Sequence, residues 1–385
     1  MKLLFDLTRT QPIGNTKVHG GGKYGIAVFT RLAHLFPESL AAFYNDALYL
    51  DPDVMQVITD NNISVYRQTE ISIFDAVKKE GGWLYMPLLD FSYIDKQGIN
   101  IICTVHGIRE LEMPTDRYIA NYQTRPAMYH IKNLVKRILR ADSLDKKIIK
   151  WEKGLLAENV HFAVVSMHTK FALLSFVPNL EKDKIKVFYS PSTIKDCLPE
   201  RCENEKIING KYWLMVSANR WEKNAIRGIM AFDQLFTEHK ELVGDVVLLG
   251  IKDLSQLHIR IVNPDRFHCL GFVDEKDLKA LYRNAYALLY PSLNEGFGYP
   301  PLEAMHEGCP VIASAIASIP EVCGDAALYF NPYVVSEMKI RILQLEEADT
   351  HEKYKTLGYN REKVIAQKQK EDLDDFCRYI MSFVK

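Results

Sequence analysis

The sequence lacks a long hydrophobic run, a strong excess of charge and a paired cysteine motif. Among its 385 residues, 48 basic side chains are balanced by 49 acidic ones, so the formal net charge is −1. A protein dedicated to nucleic acid usually has a basic excess, which disfavours that function. No apolar run approaches the roughly 20 residues that span a bilayer. The chain begins MKLLFD, and three apolar residues before an acid are too few for a signal peptide. We therefore expect a protein that stays in the cytoplasm.

Cysteine is sparse, and its spacing argues against a zinc site or a disulfide framework. The seven cysteines are odd in number, and no two have CxxC spacing. We expect reduced thiols that act as small apolar residues, with no metal ligand and no catalytic thiol among them. The cysteines are Cys103, Cys197, Cys202, Cys269, Cys309, Cys323 and Cys377.

The sequence does contain a repeated pattern of strand and then helix. Apolar residues make up 48% of the chain and charged residues 25%, a balance that excludes wholesale disorder. Short runs that are apolar throughout suit strands buried on both faces of a parallel sheet, and amphipathic stretches between them suit covering helices. The predicted strands are 99–105, 162–165, 185–189, 213–216, 245–249, 286–290 and 310–313. The predicted helices include 26–35, 224–239 and 276–285.

A polar, proline-containing stretch at residues 190–210 divides the chain nearly in half. This composition is typical of a linker, and it predicts two αβα domains with a ligand cleft. We expect the domains over residues 1–195 and 205–360, followed by a C-terminal helix over 361–385. Ligands of open α/β sheets bind beyond the carboxyl ends of the strands, so functional residues are expected just after the strands.

The strongest candidate site follows the predicted strand 286–290 and reads PSLNEGFGYPPLEAM. Two glycines allow backbone N–H groups to approach a ligand closely, and Pro301 suits the first turn of a helix. The start of that helix offers partial positive charge to an anion. Glu295 in the loop and Glu303 in the first turn can accept hydrogen bonds from hydroxyl groups. The pattern indicates a ligand that carries both phosphate and sugar hydroxyls.

The longer segment EGFGYPPLEAMHEGCPVIAS resembles the signature of the retaining GT-B glycosyltransferases of family four, also called glycosyl transferases group 1. The resemblance is specific over residues 266–332 and moderate over 212–235, and it is collinear over the first half. It implies an α/β GT-B fold, in which two Rossmann-like domains face a central cleft. The first domain would bind the acceptor and the second the nucleotide-sugar donor, and the C-terminal helix would pack back on the first.

The resemblance also implies roles for individual residues. In the family, the first signature acid hydrogen-bonds the donor sugar and the second holds the ribose hydroxyls, which assigns these roles to Glu295 and Glu303. The backbone of Gly296, Phe297 and Gly298 would contact the sugar and the diphosphate. Without the family, Glu303 can be an acid that only favours a helix start, and Glu295 a surface acid.

Basic residues follow the predicted strand 213–216 in the segment SANRWEKN. Arginine and lysine at this point can neutralise a diphosphate, although a solvated basic pair would look the same. The family has a lysine where Lys223 stands, but its frequent arginine lies five positions earlier, where this chain has Ala218. We expect Arg220 to supply the missing charge from a shifted position.

Two further candidates lie in the first half of the chain. His106 ends the predicted strand 99–105 and matches a family histidine that contacts the donor sugar, although a lone histidine there is often structural. The segment HGGGKYG precedes the predicted helix 26–35, and its glycines permit a loop that approaches a phosphate. The family has such a loop near the diphosphate and acceptor, which points to Gly21 and Gly22; a loop without a ligand is the alternative.

Two weaker signals have simpler interpretations. Asp51-Pro52-Asp53 has the DxD shape of a metal–nucleotide site in another glycosyltransferase fold, but the central proline favours a turn. Basic and apolar residues alternate within residues 131–150. This pattern is typical either of peripheral contact with anionic lipid at the cytoplasmic membrane face or of a solvated helix.

Together these features predict a retaining enzyme that moves a hexose from a GDP- or UDP-linked donor to an acceptor hydroxyl, in surface polysaccharide or glycolipid synthesis. Lys223, Arg220 and the helix start can supply roughly 5–8 kcal/mol to the leaving diphosphate, so neither a metal nor another cofactor is expected. His106 and Glu295 would position the sugar. The expected partners are the donor and a glycan or lipid-linked acceptor, without nucleic acid. The alternatives are a GT-B nucleotide-sugar epimerase or phosphorylase, and a non-catalytic nucleotide-sugar-binding subunit.

Overall fold

A computed structural model describes residues 1–12, 20–94, 98–113, 115–138, 143–194 and 209–384, except for the side chains of 134 and 136–138. The core of the predicted linker, 195–208, lies outside the described residues, as do Arg140 of the basic stretch, Cys197 and Cys202. The chain forms two compact units, each built from separate segments. The first unit comprises Met1–Ile108, Asp145–Thr193 and Ala366–Lys385; the second comprises Arg109–Leu144 and Ile194–Ile365.

The first unit holds a parallel sheet, in which the described residues form seven strands in the order β3-β2-β1-β4-β5-β6-β7. Its central strands are buried along nearly their whole length, as expected for a parallel sheet that is covered on both faces. The strands are β1 Leu3–Asp6, β2 Leu40–Tyr44, β3 Ser64–Arg67, β4 Trp83–Met86, β5 Asn100–Val105, β6 Val160–Val164 and β7 Lys186–Val187.

The second unit holds another parallel sheet, with six strands in its described part in the order β10-β9-β8-β11-β12-β13. The buried Trp213 side chain packs against Phe232 on one neighbouring helix, so the sheet and its helices share one core. The strands are β8 Tyr212–Met215, β9 Asp245–Leu249, β10 Phe267–Gly271, β11 Ala287–Tyr290, β12 Val311–Ser314 and β13 Ala327–Phe330.

Helices alternate with the strands in both units, as the sequence predicts. No helix in the described ranges is both long and apolar enough to span a bilayer. In chain order the helices are α1 Gly20–Leu35, α2 Pro52–Asp60, α3 Ile73–Lys79, α4 Arg109–Glu112, α5 Pro126–Ile138, α6 Leu144–Leu155, α7 Met167–Phe176, α8 Ala225–Glu238, α9 Glu275–Asn284, α10 Tyr299–His306, α11 Ile319–Cys323, α12 Val335–Glu346 and α13 Ala348–Met381.

The DxD segment begins a helix and is not the isolated turn that the sequence suggests. The Asp51 carboxylate accepts a hydrogen bond of 3.0 Å from the Asp53 N–H, and Pro52 occupies the first position of α2. An N-cap aspartate followed by proline is a strong start signal for a helix. The two acids therefore serve the helix terminus.

Residues 109–144 group with the second unit, which differs from a single division of the chain near residue 200. Charged contacts account for this difference. Arg109 donates a hydrogen bond of 2.7 Å to Glu222, and Arg227 donates one of 2.9 Å to Asp116. Both carboxylates are more than nine-tenths buried, so these pairs fix the segment on the second unit.

The C-terminal helix begins at Ala348, earlier than the predicted start at residue 361. Its first turn packs on the second unit because the His351 ring stacks on Tyr286 at 4.2 Å. Residues 366–385 belong to the first unit. There Arg31 forms a bidentate ion pair with Asp374, with Nε 2.5 Å from Oδ1 and Nη2 2.8 Å from Oδ2.

The cysteines of the described ranges are reduced thiols, as predicted. Four of them are buried and Cys269 is half-buried, so they pack as small apolar side chains. Burial raises the pKa of the Cys103 thiol to about 12, which removes the thiolate form at neutral pH. The buried four are Cys103, Cys309, Cys323 and Cys377.

Candidate functional site

Two of the predicted motifs meet at one edge of the second unit. Strands β8 and β11 are neighbours in the parallel sheet, so the segments that follow their carboxyl ends lie side by side. Leu293 donates a backbone hydrogen bond of 2.8 Å to the Glu222 carbonyl, which ties the two segments together. This edge is where ligands of open α/β sheets bind.

Glu295 lies at the centre of this edge as an ionised, hydrogen-bonded carboxylate. Its Oε1 atom accepts hydrogen bonds from Lys223 Nζ at 2.5 Å, Tyr290 Oη at 2.6 Å and Ser292 Oγ at 2.5 Å. Within the described part of the chain these donors all bind Oε1, which leaves the acceptor capacity of Oε2 for another group. Glu295 is therefore a placed acceptor and not a solvated surface acid.

Burial and charge act in opposite directions on the titration of Glu295. Desolvation raises the pKa of the carboxyl group, but the Lys223 ammonium and the three hydrogen bonds outweigh it, so the pKa lies below the ordinary value of 4.5. Burial and the same carboxylate raise the pKa of Tyr290 well above 10. At neutral pH the site thus contains a carboxylate and a neutral phenol.

The loop after Glu295 turns into α10 through a glycine whose conformation few other residues adopt. Gly298 has φ of 114° and forms the N-cap of α10. Tyr299 follows it as the first helical residue, and the next two residues are Pro300 and Pro301. The buried Ser318 hydroxyl fixes the loop from behind, since its Oγ lies 2.9 Å from the Glu295 carbonyl and 2.7 Å from the Phe297 carbonyl. The backbone N–H groups at the start of α10 can therefore hold an anion at a fixed place.

Glu303 lies one turn further into α10 than the sequence predicts. The helix begins at Tyr299, so Glu303 is beyond its first turn. Because Gly298 already starts the helix, the acid does not act at the helix terminus. Its Oε2 accepts a hydrogen bond of 3.2 Å from the buried Tyr282 hydroxyl, which orients the half-buried carboxylate.

Arg220 is fixed by a carboxylate that sequence reasoning missed. The Arg220 Nε and Nη2 atoms lie 2.8 and 2.5 Å from Glu222 Oε1, and Arg109 Nη1 lies 2.7 Å from the same oxygen. Glu222 is buried, whereas about half of each arginine side chain is exposed. Burial opposes ionisation of Glu222, but the two guanidinium groups hold its pKa below the ordinary value of 4.5.

Asn224 joins the segment after β8 to the segment after β11 through its side-chain amide. Its backbone conformation is unusual for a residue with a side chain. It has φ of 58° and separates a single turn of 3-10 helix at Trp221–Lys223 from α8. The amide Nδ2 donates to the carbonyls of Pro291 and Pro332, at 3.0 and 2.9 Å. This buried amide fixes the position of Lys223, its neighbour in the chain.

His106 lies at the corresponding edge of the first unit, at the carboxyl end of β5. Its Nε2 atom is 2.8 Å from the Pro87 carbonyl oxygen, an acceptor, so Nε2 carries the proton. Tyr24 from α1 meets the imidazole edge-on, with 4.4 Å between ring centroids. These contacts fix the orientation of the ring.

Gly21 and Gly22 lie in the first turn of α1, so the predicted glycine loop is wrong for these residues. Glycine suits these positions because α1 packs closely against neighbouring segments, where a Cβ atom would not fit. A Cβ atom on Gly21 would lie 2.7 Å from Leu88 Cδ2, in the segment after β4, and one on Gly25 would lie 2.7 Å from Thr10 Cγ2. Gly21 is thus close to the chain segment that His106 contacts.

Two sets of predicted residues are therefore brought together, one in each unit. The second unit assembles Lys223, Arg220 and Glu295 with the backbone at 296–298, and the first unit brings Gly21 close to the Pro87–Leu88 segment beside His106. Sequence reasoning missed Glu222, Tyr290, Asn224 and Ser318 as site residues. Tyr290 ends β11, and Glu222 and Asn224 flank Lys223 in the segment after β8, which are the signals that could have indicated them. In the described residues, no group of three or more His, Cys, Asp or Glu side chains is arranged to hold a metal ion.

Comparisons with known proteins match this chain to one family. Residues 200–364 match the model of a family described as glycosyl transferases group 1. The O-antigen chain mannosyltransferase RfbU of Salmonella typhimurium is 30% identical over 240 residues, which are 60% of this chain and 61% of that protein. The O-antigen chain mannosyltransferase B of Escherichia coli is 35% identical over 167 residues, 42% of this chain and 43% of that protein. The chain thus matches less than two thirds of the length of either relative.

A solved structure supports the same fold. Anabaena HepE, crystallised with UDP and glucose, superposes with a TM-score of 0.64 and 15% identity, covering 99% of this chain and 100% of that one. At this identity the likeness concerns the fold alone. The α/β GT-B fold with two Rossmann-like units, predicted from the sequence, is confirmed.

Proposed function

We propose that this chain, which belongs to the glycosyl transferases group 1 through its residues 200–364, transfers a hexose from a nucleotide diphosphate sugar to the hydroxyl group of an acceptor. The observation that carries the proposal is the arrangement around Glu295. A buried ammonium and the N-terminus of α10 flank a carboxylate whose Oε2 has acceptor capacity to spare. This arrangement suits a ligand that has a diphosphate next to a ring of hydroxyl groups.

Different residues of the site would hold the diphosphate of the donor and its sugar rings. The Lys223 ammonium and the Arg220 guanidinium would neutralise the diphosphate, and charge-assisted hydrogen bonds of this kind contribute about 1.5–3 kcal/mol each. The backbone N–H groups at Gly296, Phe297 and Gly298 would add further donors. Glu295 Oε2 would accept from a sugar hydroxyl, and the carboxylate of Glu303, oriented by Tyr282, would accept from the ribose hydroxyls.

Retention at the anomeric carbon fits a reaction on one face of the sugar. The bond between the anomeric carbon and the diphosphate oxygen breaks, and the acceptor oxygen bonds to the anomeric carbon from the same side. The acceptor proton passes to the leaving diphosphate oxygen. Lys223 and Arg220 stabilise the charge that develops on the diphosphate, which is where electrostatic catalysis has its largest effect. His106 and Glu295 position the sugar.

The relatives favour mannose as the transferred hexose and a surface polysaccharide as the product. Two of them are O-antigen chain mannosyltransferases, and their similarity to this chain supports the same chemistry here. We assign the donor to GDP- or UDP-linked mannose. The acceptor is a glycan or lipid-linked glycan, bound by the first unit, and the donor is bound by the second.

The test is a transfer assay with GDP-mannose, UDP-glucose and other nucleotide sugars, preceded by thermal-shift measurements with UDP, GDP and ADP. Binding stabilises a protein by about 2.7 kcal/mol at one hundred times Kd, so the correct base raises the melting midpoint most. We expect transfer with retained configuration by NMR, and loss of transfer in Glu295→Ala. Full transfer by that variant would contradict the assignment.

The same assay separates the alternative functions. Conversion of the donor sugar without any acceptor would indicate an epimerase. Phosphate-dependent cleavage of a glycan, with the absorbance of a lysine-bound pyridoxal group, would indicate a phosphorylase. Donor binding with neither transfer nor hydrolysis would indicate a non-catalytic subunit.

We also propose peripheral contact with an anionic membrane through the 131–150 stretch. Helix α5 exposes Met128, Ile131 and Val135, with the exposed Lys132 beside them. An apolar surface with adjacent lysines is typical of helices that bind the lipid interface. Sedimentation with vesicles of phosphatidylglycerol should capture the wild-type chain, and Ile131→Ser should weaken capture. Equal capture by neutral phosphatidylcholine vesicles would contradict an electrostatic contribution.

A further inference from the structure

A cavity of about 510 Å³ in the second unit has the size of a small-molecule site, and none of the proposed donor contacts uses it. Its walls are the segment that follows β12 and the segment that follows β13, two neighbouring strands of the sheet. The cavity therefore lies at the edge where ligands of open α/β sheets bind. The lining residues that carry its chemistry are Ala315, Ile316, Tyr329, Asn331, Tyr333 and Glu337.

Both walls of the cavity are bonded to the segment that carries Glu295. The wall after β12 continues to Ser318, whose hydroxyl donates to the Glu295 carbonyl at 2.9 Å. The wall after β13 contains Pro332, and the buried amide of Asn224 donates both to its carbonyl and to that of Pro291, at 2.9 and 3.0 Å. The cavity thus has a fixed place beside the site proposed for the donor.

The order of the strands separates the cavity from the donor's own sugar. Strands β11, β12 and β13 are consecutive neighbours in the sheet, and neighbouring strands lie about 4.8 Å apart. Glu295 follows β11, whereas the cavity begins one strand further along the edge. A ligand in the cavity is therefore a neighbour of the hexose proposed to bind Glu295, and not that hexose itself.

Tyr333 gives the cavity an aromatic wall that is supported from inside the protein. The guanidinium carbon of the buried Arg227 lies 5.3 Å from the centroid of the Tyr333 ring and 4.7 Å from that of Tyr118. Asp116 holds this guanidinium group at 2.9 Å. Because Arg227 covers the ring from the buried side while Tyr333 remains 48% exposed, the outer surface of the ring is available to a ligand. Such a rigid apolar surface suits the C–H face of a sugar ring.

A carboxylate and an amide lie beside this aromatic wall. Glu337 Oε2 accepts a hydrogen bond of 2.8 Å from the Asn331 N–H, and Asn331 Oδ1 accepts one of 3.0 Å from the Tyr333 N–H. These bonds fix both side chains. Within the described part of the chain, Glu337 Oε1 accepts no hydrogen bond and Asn331 Nδ2 donates none, so the pair offers an acceptor and a donor to hydroxyl groups.

The charge of the cavity disfavours an anionic ligand. Among the described residues that line it, Glu337 carries the only formal charge. The nearby Arg227 is neutralised by Asp116. Arg341, one turn after Glu337 on α12, donates to the Tyr329 carbonyl at 2.7 Å and does not line the cavity. A phosphate ester or a second carboxylate would therefore be repelled, whereas the hydroxyl groups of a neutral sugar would not.

We propose that this cavity is a subsite for a neutral hexose of the acceptor glycan, in addition to the contacts expected from the first unit. The assignment of the ligand to the acceptor rests on the proposed transferase function. The C–H face of the hexose packs on Tyr333, and Glu337 and Asn331 hydrogen-bond its hydroxyl groups. The subsite places the glycan beside the sugar at Glu295 and selects neutral over anionic acceptor units.

Binding to the whole chain tests the subsite without any turnover. Methyl mannoside, mannobiose and mannose 6-phosphate are titrated by saturation-transfer NMR, with UDP or GDP present to occupy the nucleotide part of the donor site. We expect the two neutral sugars to bind about tenfold more tightly than mannose 6-phosphate, because the anion meets the Glu337 carboxylate. Equal or tighter binding of mannose 6-phosphate would overturn the proposal.

Variants locate the binding. Tyr333→Ala removes the aromatic surface, and Glu337→Gln keeps an oxygen for the Asn331 N–H while it replaces the other acceptor; each should weaken mannobiose about tenfold. Tyr333→Phe should bind within about twofold of the wild type, as should Tyr359→Ala, which removes an equally exposed tyrosine of α13. Circular dichroism checks that each variant is folded. Mannobiose binding that survives in Glu337→Gln, or that falls equally in Tyr359→Ala, would overturn the proposal.

Kinetics then separate the subsite from the transferase function. In an active enzyme, Glu337→Gln should raise KM for a neutral glycan acceptor about tenfold and leave KM for the donor and donor hydrolysis within about twofold. A rise in donor KM instead would place the donor sugar in the cavity and overturn the acceptor subsite. Unchanged acceptor KM would overturn the subsite and leave the transferase function standing. Mannobiose binding that depends on Tyr333 and Glu337, in a chain without transfer, would keep the sugar subsite and overturn the transferase function.

Discussion

The Lys223 ammonium lies 2.5 Å from the Glu295 carboxylate, and their side chains are only 8% and 13% exposed. The two residues are 72 positions apart in the chain and follow adjacent strands of one sheet. A pair this buried costs solvation of both charges, which the opposite charge and the hydrogen bonds from Tyr290 and Ser292 to Glu295 compensate. The pair therefore couples the stability of the second unit to the site proposed for the donor.

Breaking this pair from one side should be strongly destabilising. Lys223→Met leaves the Glu295 carboxylate buried without its counter-charge, which we expect to cost about 3–5 kcal/mol in the free energy of unfolding. The double variant Lys223→Met/Glu295→Gln should recover most of that loss, because no charge remains. Urea denaturation measures both. Lys339→Met breaks a pair whose glutamate is half-exposed and should cost less than about 1 kcal/mol; a similar loss in both lysine variants would contradict the argument.

The Glu222 carboxylate should make stability depend on pH. Its folded pKa lies below 4.5, so its stabilising contribution is present above pH 4.5 and is lost as the pH falls through the folded pKa. Glu222→Gln should be less stable than the wild type by about 2 kcal/mol at neutral pH. The difference should close in acid. Thermal unfolding from pH 7 to pH 3 measures this gap, and the exposed Glu70→Gln serves as the control. A gap that does not change with pH would show that the carboxylate charge contributes nothing.

Loss of the Ser318 hydroxyl should loosen the loop that carries Gly296 and Phe297. Ser318→Ala leaves the Glu295 and Phe297 carbonyls without this donor, at an expected cost of about 1–3 kcal/mol. Because the loop then loses its fixed shape, we expect KM for the donor to rise about tenfold. Ser382→Ala removes a comparable hydroxyl–carbonyl bond at the C-terminal end of α13 and should leave KM unchanged. Steady-state kinetics at saturating acceptor decide between a loosened and an unaffected loop.

Two glycines of α1 should respond to alanine in opposite ways. A Cβ on Gly25 would meet Thr10 Cγ2 at 2.7 Å and Pro87 Cβ at 3.1 Å, so Gly25→Ala should destabilise by about 1–3 kcal/mol. A Cβ on Gly20 meets nothing within 4 Å, so Gly20→Ala should be neutral or stabilise by about 0.4–1 kcal/mol. Differential scanning calorimetry measures both variants. Destabilisation by Gly20→Ala as large as that by Gly25→Ala would contradict the packing argument.

The fold was largely predictable from short apolar runs. The predicted strands at 99–105, 245–249 and 286–290 match β5, β9 and β11 to within a residue. Strands β1 and β4 were not predicted, although β8 and β12, which were, also have only four residues; so short an apolar run also suits a buried helix, and the pattern alone does not decide between them. The glycines of α1 were taken for a loop because local propensity disfavours a helix there, and tertiary packing overrides it.

The proximity of Lys223 and Glu295 was predictable, because each follows a strand of the same parallel sheet, and their roles toward a donor stay predictions. The site was not predictable where a contact joins distant segments without such a shared sheet. The Arg109–Glu222 contact spans 113 residues, and nothing in local spacing indicates it. Ser318 is likewise a common residue whose importance comes only from the two carbonyls beside it. The roles of His106, Gly21 and Gly22 toward a ligand stay predictions, as does the cleft.

The division of the chain into units also limits how this protein can be cut and recombined. Along the chain, the described residues pass from one unit to the other after Ile108, Leu144, Thr193 and Ile365. An exchange of residues 200–364 with a homologue, aimed at a new sugar specificity, would leave 109–144 from the old parent. That segment would carry Arg109 and Asp116 onto foreign partners. A working chimaera therefore has to transplant residues 109–144 together with the family domain.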